Sequence, residues 1–285
     1  MDNQRIDVRP LTSSIGAEIF GVDLAGELSE ETFAEIHQAF HDHLVVFFRE
    51  QNLSGDQQVA FAKRFGPLAV DPFIVGTGDR PELMIVAREK HEVRAFGDNW
   101  HSDNSYLEKP PLGSFLYAAE VPPNCGDTLF ANQYCAYETL SSGLRARLDN
   151  LNAVHTPQGY LRAIAAGQFD DSAMKLRADD LMVQTLASQA VHPVVRTHPQ
   201  TQRKALYVNR SYTTRFEDWT EAESQPLLDF LIDHAVKPEF SCRFRWQQGS
   251  LAVWDNQSVM HLAINDVHGY RRVMHRVVVE GDRPF

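Results

Sequence analysis

Four segments carry the start and stop signals of amphipathic helices. In the clearest one, Ser54 and Gln57 form a capping box, and Gly66 and Pro67 follow the apolar positions as a terminating pair. Thr220 begins a second box before an apolar stripe of helical period. The predicted helices are residues 29–42, 54–65, 134–150 and 220–236.

Short apolar or alternating runs lie between these helices and are typical of buried strands. In residues 242–246, arginines alternate with apolar side chains. The predicted strands are residues 44–48, 83–87, 113–119, 127–131, 205–209, 242–246, 250–254 and 271–280. Many strands with few helices favour a β-rich barrel or sandwich with peripheral helices over a βαβ repeat.

The chain is expected to form one domain over residues 1–285, because no linker or internal repeat divides it. Residues 159–190 have no clear hydrophobic period. Two interpretations remain open for this stretch: a functional lid or insertion, and a surface excursion with one short helix.

Composition and charge limit the classes of molecule that the chain is expected to bind. The chain has 27 basic and 38 acidic residues, a formal net charge of −11 and no Lys/Arg run, which argues against a nucleic-acid partner. The longest apolar runs, among them residues 44–48, are far too short for a membrane helix, and no secretory signal is visible. The cysteines Cys125, Cys135 and Cys242 lack metal-type spacing. We therefore expect free thiols in a reducing cytoplasm, with no membrane partner.

Most of the twelve histidines do not form a metal motif. His37 and His41 have the helical spacing of a zinc hydrolase motif, but Gln38 stands where the catalytic glutamate is required. We therefore interpret both as surface histidines of the first helix.

The best candidate metal motif is His101-Ser102-Asp103. In an extended chain, His101 and Asp103 project to the same side. A third ligand, His261, follows the predicted strand at 250–254. Two histidines and one carboxylate suit Fe(II), because they leave three coordination positions open for a co-substrate and dioxygen. By itself, His-x-Asp is a weak signal that often arises by chance, and an ordinary hydrogen bond is its default interpretation.

Two arginines share one face of the last predicted strand, since Arg272, Met274, Arg276 and Val278 alternate with the residues between them. In an extended strand, Arg272 and Arg276 would lie ~13 Å apart. Buried arginines are costly without anions, so this face predicts two anion sites. The alternative is an exposed edge strand with solvated arginines.

Motifs in a fixed order cover almost the whole chain: residues 16–24, 65–67, 99–103, 126–128, 192–199, 254–261 and 272–276. Jointly they resemble the Fe(II)- and 2-oxoglutarate-dependent dioxygenases of the taurine dioxygenase (TauD/TfdA) family. The resemblance implies a mainly β fold, a double-stranded β-helix (jelly roll, cupin-like) core with helices outside it.

The resemblance also implies residue roles and a reaction. The implied metal ligands are His101, Asp103 and His261. Arg272, assisted by the Thr128 hydroxyl, would hold the distal carboxylate of 2-oxoglutarate, and Arg276 the acidic group of the primary substrate. With O2, Fe(II) and 2-oxoglutarate would give a ferryl species, succinate and CO2, and the ferryl would hydroxylate a small organic acid, a sulfonate or a carboxylate. Relatives commonly form dimers or tetramers, so a homo-oligomer is expected.

Three positions depart from the pattern of taurine-specific members. Asp71, Ile74 and Gly97 stand where those enzymes carry polar contacts to taurine. We therefore predict a small anion, a carboxylate held by Arg276, with an apolar body against Tyr106. Taurine, alkylsulfonate or aryloxyalkanoate oxidation is the alternative, and so is an Arg276 that pairs with a protein carboxylate such as Asp71.

Two other classes of function remain open. A jelly-roll protein could bind a metal or an anion without catalysis, and zinc in the same triad could support hydrolysis. Retention of Thr128 and Arg272 beside the triad argues against pure binding, because that function needs no 2-oxoglutarate clamp.

Overall fold

The computed structural model describes residues 5–92, 97–159, 162, 166–167, 184–185 and 187–285. Most of the lid or insertion predicted at 159–190 lies outside these residues. No helix in the described ranges is both long enough and apolar enough to cross a bilayer.

The helices follow the capping signals closely. The capping boxes at Ser54 and Thr220 are both formed. The prediction of one helix over 134–150 is wrong: the Ser141 side chain accepts the Leu144 N–H and starts a second helix there. The helices are α1 (Glu30–His43), α2 (Gly55–Lys63), α3 (Gln133–Glu138), α4 (Ser142–Leu148) and α5 (Glu221–Ala235).

Outside these helices, the regular structure of the described residues is mainly β-strand. The strands are β1 (Asp7–Pro10), β2 (Ala17–Phe20), β3 (Val45–Phe48), β4 (Leu68–Ala69), β5 (Gly76–Thr77), β6 (Arg80–Arg88), β7 (Gly113–Glu120), β8 (Thr128–Asn132), β9 (Asn152–His155), β10 (Ala190–Pro193), β11 (Val195–Thr197), β12 (Lys204–Leu206), β13 (Thr213–Phe216), β14 (Ser241–Phe244), β15 (Leu251–Asp255), β16 (Val259–Ala263) and β17 (Arg272–Val279).

Two sheets form the core. The major sheet has the order β1-β2-β3-β15-β7-β17-β6-β5, with β4 also paired to β17, and the minor sheet has the order β14-β8-β16. They pack face to face: the Phe47 ring on β3 stacks at 3.9 Å on Phe244 of β14 and meets Phe130 of β8 at 5.6 Å. This arrangement of largely antiparallel sheets confirms the predicted mainly β, jelly-roll class.

Helices α1 and α2 cover the outer face of the major sheet. Phe40 of α1 and Phe61 of α2 share a buried apolar cluster with Val277 and Val279 of β17. The opposite face of β17 points between the sheets, where Met274 is fully buried. Because β17 is paired on both sides, by β6 and β7, the alternative of an exposed edge strand is wrong.

Candidate metal and co-substrate site

The three predicted metal ligands meet between the two sheets. Backbone hydrogen bonds in both directions join His101 to His261 on β16, at 3.0 and 2.8 Å. The Asp103 Oδ1 atom lies 3.7 Å from His101 Nε2 and 3.8 Å from His261 Nε2. All three residues are buried, and one donor atom from each lies within 4.8 Å of the others.

The chain does not stay extended through this motif. Residues 103–106 form a turn, and Asn104 has a positive φ of 48°. The position of Tyr106 therefore does not follow from the extended-chain spacing that relates His101 to Asp103. His101 and Asp103 still converge, because the pairing of His101 with β16 fixes the segment before the turn.

The donor set fits a divalent first-row metal. His101 Nδ1 lies 2.7 Å from the Asn99 carbonyl, so this nitrogen donates and Nε2 keeps its lone pair. Burial lowers the pKa of His101 and lowers that of His261 well below its usual value, so both imidazoles are neutral. Metal–ligand bonds of ~2.0–2.2 Å allow one ion to reach all three residues at the observed separations.

A hydrogen-bonded layer holds the Asp103 carboxylate. Ser114 Oγ on β7 donates to Oδ2 at 2.7 Å, and Asn256 Nδ2 donates to Ser114 at 3.0 Å. Trp254 Nε1 fixes the Asn256 amide through a 2.9 Å bond to Oδ1. Sequence reasoning missed Ser114 and Asn256, although each lies inside or next to a predicted strand.

Arg276 reaches the same carboxylate. Its Nη2 lies 2.8 Å from Asp103 Oδ1, and both side chains are buried. Burial alone would raise the pKa of Asp103, but Arg276 and the two histidines hold it well below its usual range. Asp71, the partner considered from the sequence, accepts instead the backbone N–H groups of Phe73 and Ile74.

The two predicted 2-oxoglutarate residues lie on opposite sheets, Thr128 on β8 and Arg272 on β17. Trp246 connects them: its Nε1 donates to Thr128 Oγ1 at 2.9 Å, and the Arg272 guanidinium carbon lies 5.9 Å from its ring centre. Arg272 Nη2 donates to the Gly126 carbonyl at 3.3 Å, while its buried Nε has no partner within the described ranges.

Gly126 allows the Arg272 side chain to lie this close to the backbone. Its φ is +74°, and a Cβ there would lie 3.2 Å from Arg272 Nε and 2.8 Å from a Val267 methyl carbon. A side chain at this position would therefore occupy the space in which the guanidinium lies.

Aromatic residues line the side of the site near His101. Tyr106 is fully buried and packs on Tyr212 at 4.9 Å and on Phe73 at 5.8 Å. The Tyr212 ring also lies edge-on, 6.2 Å from His101. Tyr106 thus belongs to a buried aromatic cluster. Tyr212 and Phe73 are residues that sequence reasoning missed, since they come from distant segments.

The two helix histidines do not contribute to this site. His37 and His41 are half-buried rather than surface residues, because they pack against the Phe40 ring of their own helix. Burial lowers the pKa of both. Among the described residues, the only group of three or more potential metal donors is the His101–Asp103–His261 set.

Comparison with known proteins identifies the family. A family model described as taurine catabolism dioxygenase TauD, TfdA family matches residues 7–278. The chain is 34% identical to an alpha-ketoglutarate-dependent sulfate ester dioxygenase of Pseudomonas putida, over 98% of this chain and 91% of that protein. It is 32% identical to an alkylsulfatase of Acinetobacter baylyi, over 98% of this chain and 86% of that protein.

A solved structure gives the same result for the fold. The crystal structure of a taurine dioxygenase from Burkholderia xenovorans superposes with a TM-score of 0.81 and 35% sequence identity, covering 98% of this chain and 91% of that one. Because the family match runs from β1 to β17 and so includes both sheets, the chain belongs to the TauD, TfdA family of 2-oxoglutarate-dependent dioxygenases.

Proposed function

We propose that this dioxygenase uses Fe(II), held by His101, Asp103 and His261, to hydroxylate a small organic anion with an apolar body. The convergence of two neutral imidazoles and one carboxylate between the sheets carries the proposal. When bound, iron with 2-oxoglutarate and O2 supplies the oxidising power for C–H hydroxylation, and succinate and CO2 are the co-products.

Arg272 and Thr128 bind the distal carboxylate of 2-oxoglutarate. A guanidinium group can donate two charge-assisted hydrogen bonds to one carboxylate. The buried Arg272 Nε has no partner within the described ranges and can be one of these donors. Burial, and then the charge of Arg88, lower the pKa of Arg272 to about 10, so the group is cationic at neutral pH.

Arg276 binds the acidic group of the primary substrate. Its partners include Asp103, and a divalent cation at the triad competes for that carboxylate. An incoming anion can then compete for the guanidinium. This role places the substrate anion next to the metal ligands, on the same face of β17 as the co-substrate arginine.

The body of the substrate is apolar. Phe73, Ile74, Tyr106 and Tyr212 form one buried cluster, and the buried Asp71 beside it accepts the backbone N–H groups of Phe73 and Ile74 at Oδ1. Gly97 cannot be replaced by a polar side chain without strain, because its φ is +80° and a Cβ would lie 3.2 Å from His101 Cε1. These contacts favour an alkyl or aryl chain over the ammonium-bearing chain of taurine.

The names of the two curated relatives support a sulfate ester as the anionic group. Hydroxylation at the carbon bearing a sulfate ester gives a hemiacetal-like product. This product loses sulfate and leaves an aldehyde, so one oxygen atom of O2 ends in the aldehyde and the other in succinate.

A substrate panel tests the proposal. Purified protein with Fe(II), ascorbate and 2-oxoglutarate is mixed with hexyl sulfate, phenoxypropionate, hexanoate or taurine, and succinate release is measured. We expect substrate-dependent succinate for an apolar anion and little for taurine. Taurine as the best substrate would contradict the substrate proposal, and turnover with Zn(II) in the absence of O2 would indicate hydrolysis instead.

Cytoplasmic location and homo-oligomerisation stay predictions. The oligomeric state can be measured directly by light scattering of the purified protein.

A further inference from the structure

A second arginine lies directly opposite Arg272. In the antiparallel pairing of β6 and β17, the partner of Arg272 is Arg88. Directly opposite residues project to the same side of a sheet, with their Cβ atoms ~4.5–5.5 Å apart. Met84 and Val86, which precede Arg88 on β6 at the same spacing, pack into the apolar clusters between the sheets. Arg88 therefore shares the inward face.

Within the described residues, neither arginine has a carboxylate partner. Arg88 Nε and Nη2 donate to the Glu92 carbonyl at 3.1 and 2.8 Å, and Nη1 donates to Asn265 Oδ1 at 3.0 Å. Arg88 Nη2 also lies 3.4 Å from His268 Nδ1. Arg272 donates to the Gly126 carbonyl. In the part of the chain that the structure describes, no carboxylate oxygen lies within 4.0 Å of a side-chain nitrogen of Arg88 or Arg272.

Two acids that act electrostatically on Arg272, Asp127 and Asp266, each have another partner. Asp127 Oδ2 lies 2.6 Å from Arg243 Nε, and Asp266 Oδ1 accepts the Gly126 N–H at 2.6 Å. The neighbouring Arg271, by contrast, is exposed and pairs with Glu89 at 2.9 Å. Like charges directly opposite each other in a sheet are destabilising. The buried Arg88 and the half-buried Arg272 face each other without a carboxylate partner in the described ranges, and they therefore call for an anion from outside the chain.

We infer that Arg88 and Arg272 form a dicationic site for the distal carboxylate of 2-oxoglutarate, in which Arg88 selects a dicarboxylate over a monocarboxylate 2-oxo acid. The inference rests on the proposed role of Arg272. The guanidinium hydrogen-bond donors of Arg88 are already engaged by Glu92 and Asn265. Arg88 therefore acts on the carboxylate mainly through its positive charge. Arg272 supplies hydrogen bonds to the same carboxylate.

Two co-substrates that differ only in the distal carboxylate test the inference. The absorption band of Fe(II) with a bound 2-oxo acid is titrated anaerobically with 2-oxoglutarate and with 2-oxopentanoate. The proteins are wild type, Arg88→Gln, Arg88→Lys and the control Arg271→Gln. Binding is read without turnover, and thermal unfolding of each variant shows whether it is folded.

We expect Arg88→Gln to raise the Kd of 2-oxoglutarate about five- to tenfold. Its Kd for 2-oxopentanoate should stay within about twofold of wild type, because that ligand lacks the charge on which Arg88 acts. Arg88→Lys should keep most of the 2-oxoglutarate affinity, since the charge remains, and Arg271→Gln should match wild type.

Equal loss of affinity for both ligands in Arg88→Gln would overturn the inference and make Arg88 a structural support of the segment at Glu92. No change for either ligand would also overturn it. Failure of the proposed function is a different result: wild type would then show no absorption band, or no preference for 2-oxoglutarate over 2-oxopentanoate.

Discussion

At the scale of single residues, the site depends on how Asp103 is held. Its carboxylate is buried, yet Ser114 Oγ donates to Oδ2 at 2.7 Å, and Asn256 Nδ2 donates to Ser114 in turn. A carboxylate fixed in this way presents a defined oxygen to a metal ion, and partners of this kind are commonly worth 10- to 100-fold in metal affinity.

Ser114→Ala tests this role. The variant removes one hydroxyl donor from Asp103 and leaves a small buried side chain, so we expect Fe(II) affinity to fall about tenfold. Affinity is measured by anaerobic Fe(II) titration in competition with a chelator. Ser241→Ala is the control, because Ser241 donates to the Pro238 carbonyl, away from the metal ligands. Unchanged Fe(II) affinity in Ser114→Ala would contradict the account.

Arg272→Ala should weaken 2-oxoglutarate binding ~10- to 150-fold, because charge-assisted hydrogen bonds to a carboxylate are lost. Thr128→Val should act in the same direction but less strongly, since one hydroxyl is removed. The anaerobic titration with 2-oxoglutarate measures both. An unchanged Kd in Arg272→Ala would show that the distal carboxylate binds elsewhere.

Among single residues, sequence reasoning identified those whose partners are a few positions away or on the same face of one strand. His101 and Asp103 were found by spacing, and Arg272 and Arg276 by alternation along one strand. Ser114, Asn256 and Arg88 were missed because their contacts run between segments far apart in the chain. The Asn256–Ser114 bond, for example, joins residues separated by 142 positions. Local patterns carry no information about such pairs.

At the scale of elements, β9 and β10 bring two buried histidines together. His155 and His192 have ring centres 5.4 Å apart, and His192 Nε2 lies 2.9 Å from the Leu107 carbonyl. Burial lowers the pKa of His192 to about 4. The unfolded chain therefore takes up a proton near pH 6.5 that the folded protein does not bind until about pH 4.

The sign of the pH effect follows from this difference. The stability contributed by neutral His192 is complete above its unfolded pKa and is lost as the pH falls towards its folded one. Between pH 7.5 and pH 5, this group should remove about 2 kcal/mol from the free energy of unfolding of the metal-free protein. Urea unfolding of wild type and His192→Gln at both pH values measures the difference. Equal losses in the two proteins would contradict the assignment.

Elements with strong local signals were predicted well. Capping boxes predicted the bounds of α2 and α5 to within a few residues. Unbroken apolar runs did the same for the strands β3 and β15. The short strands β2 and β16 were missed, because four or five residues without clear alternation give too weak a pattern. The break between α3 and α4 was missed because Ser141 is a cap whose effect depends on tertiary context.

At the scale of the whole molecule, the two sheets contribute different parts of the chemistry. The minor sheet carries Thr128 and His261, and His101 bridges to it. The major sheet carries Arg272 and Arg276 on β17. A site built in this way exists only when the sheets are packed together, which explains why no segment of the chain shows the complete site by itself.

The fate of molecular oxygen tests the central claim most directly. Wild-type protein, Fe(II), 2-oxoglutarate and the best substrate of the panel are incubated under 18O2, and succinate is analysed by mass spectrometry. The account predicts one 18O atom per succinate, dependent on substrate, and no labelled succinate from a folded Asp103→Ala variant. Unlabelled succinate from wild type, or near-normal labelling in Asp103→Ala with iron still bound, would contradict it.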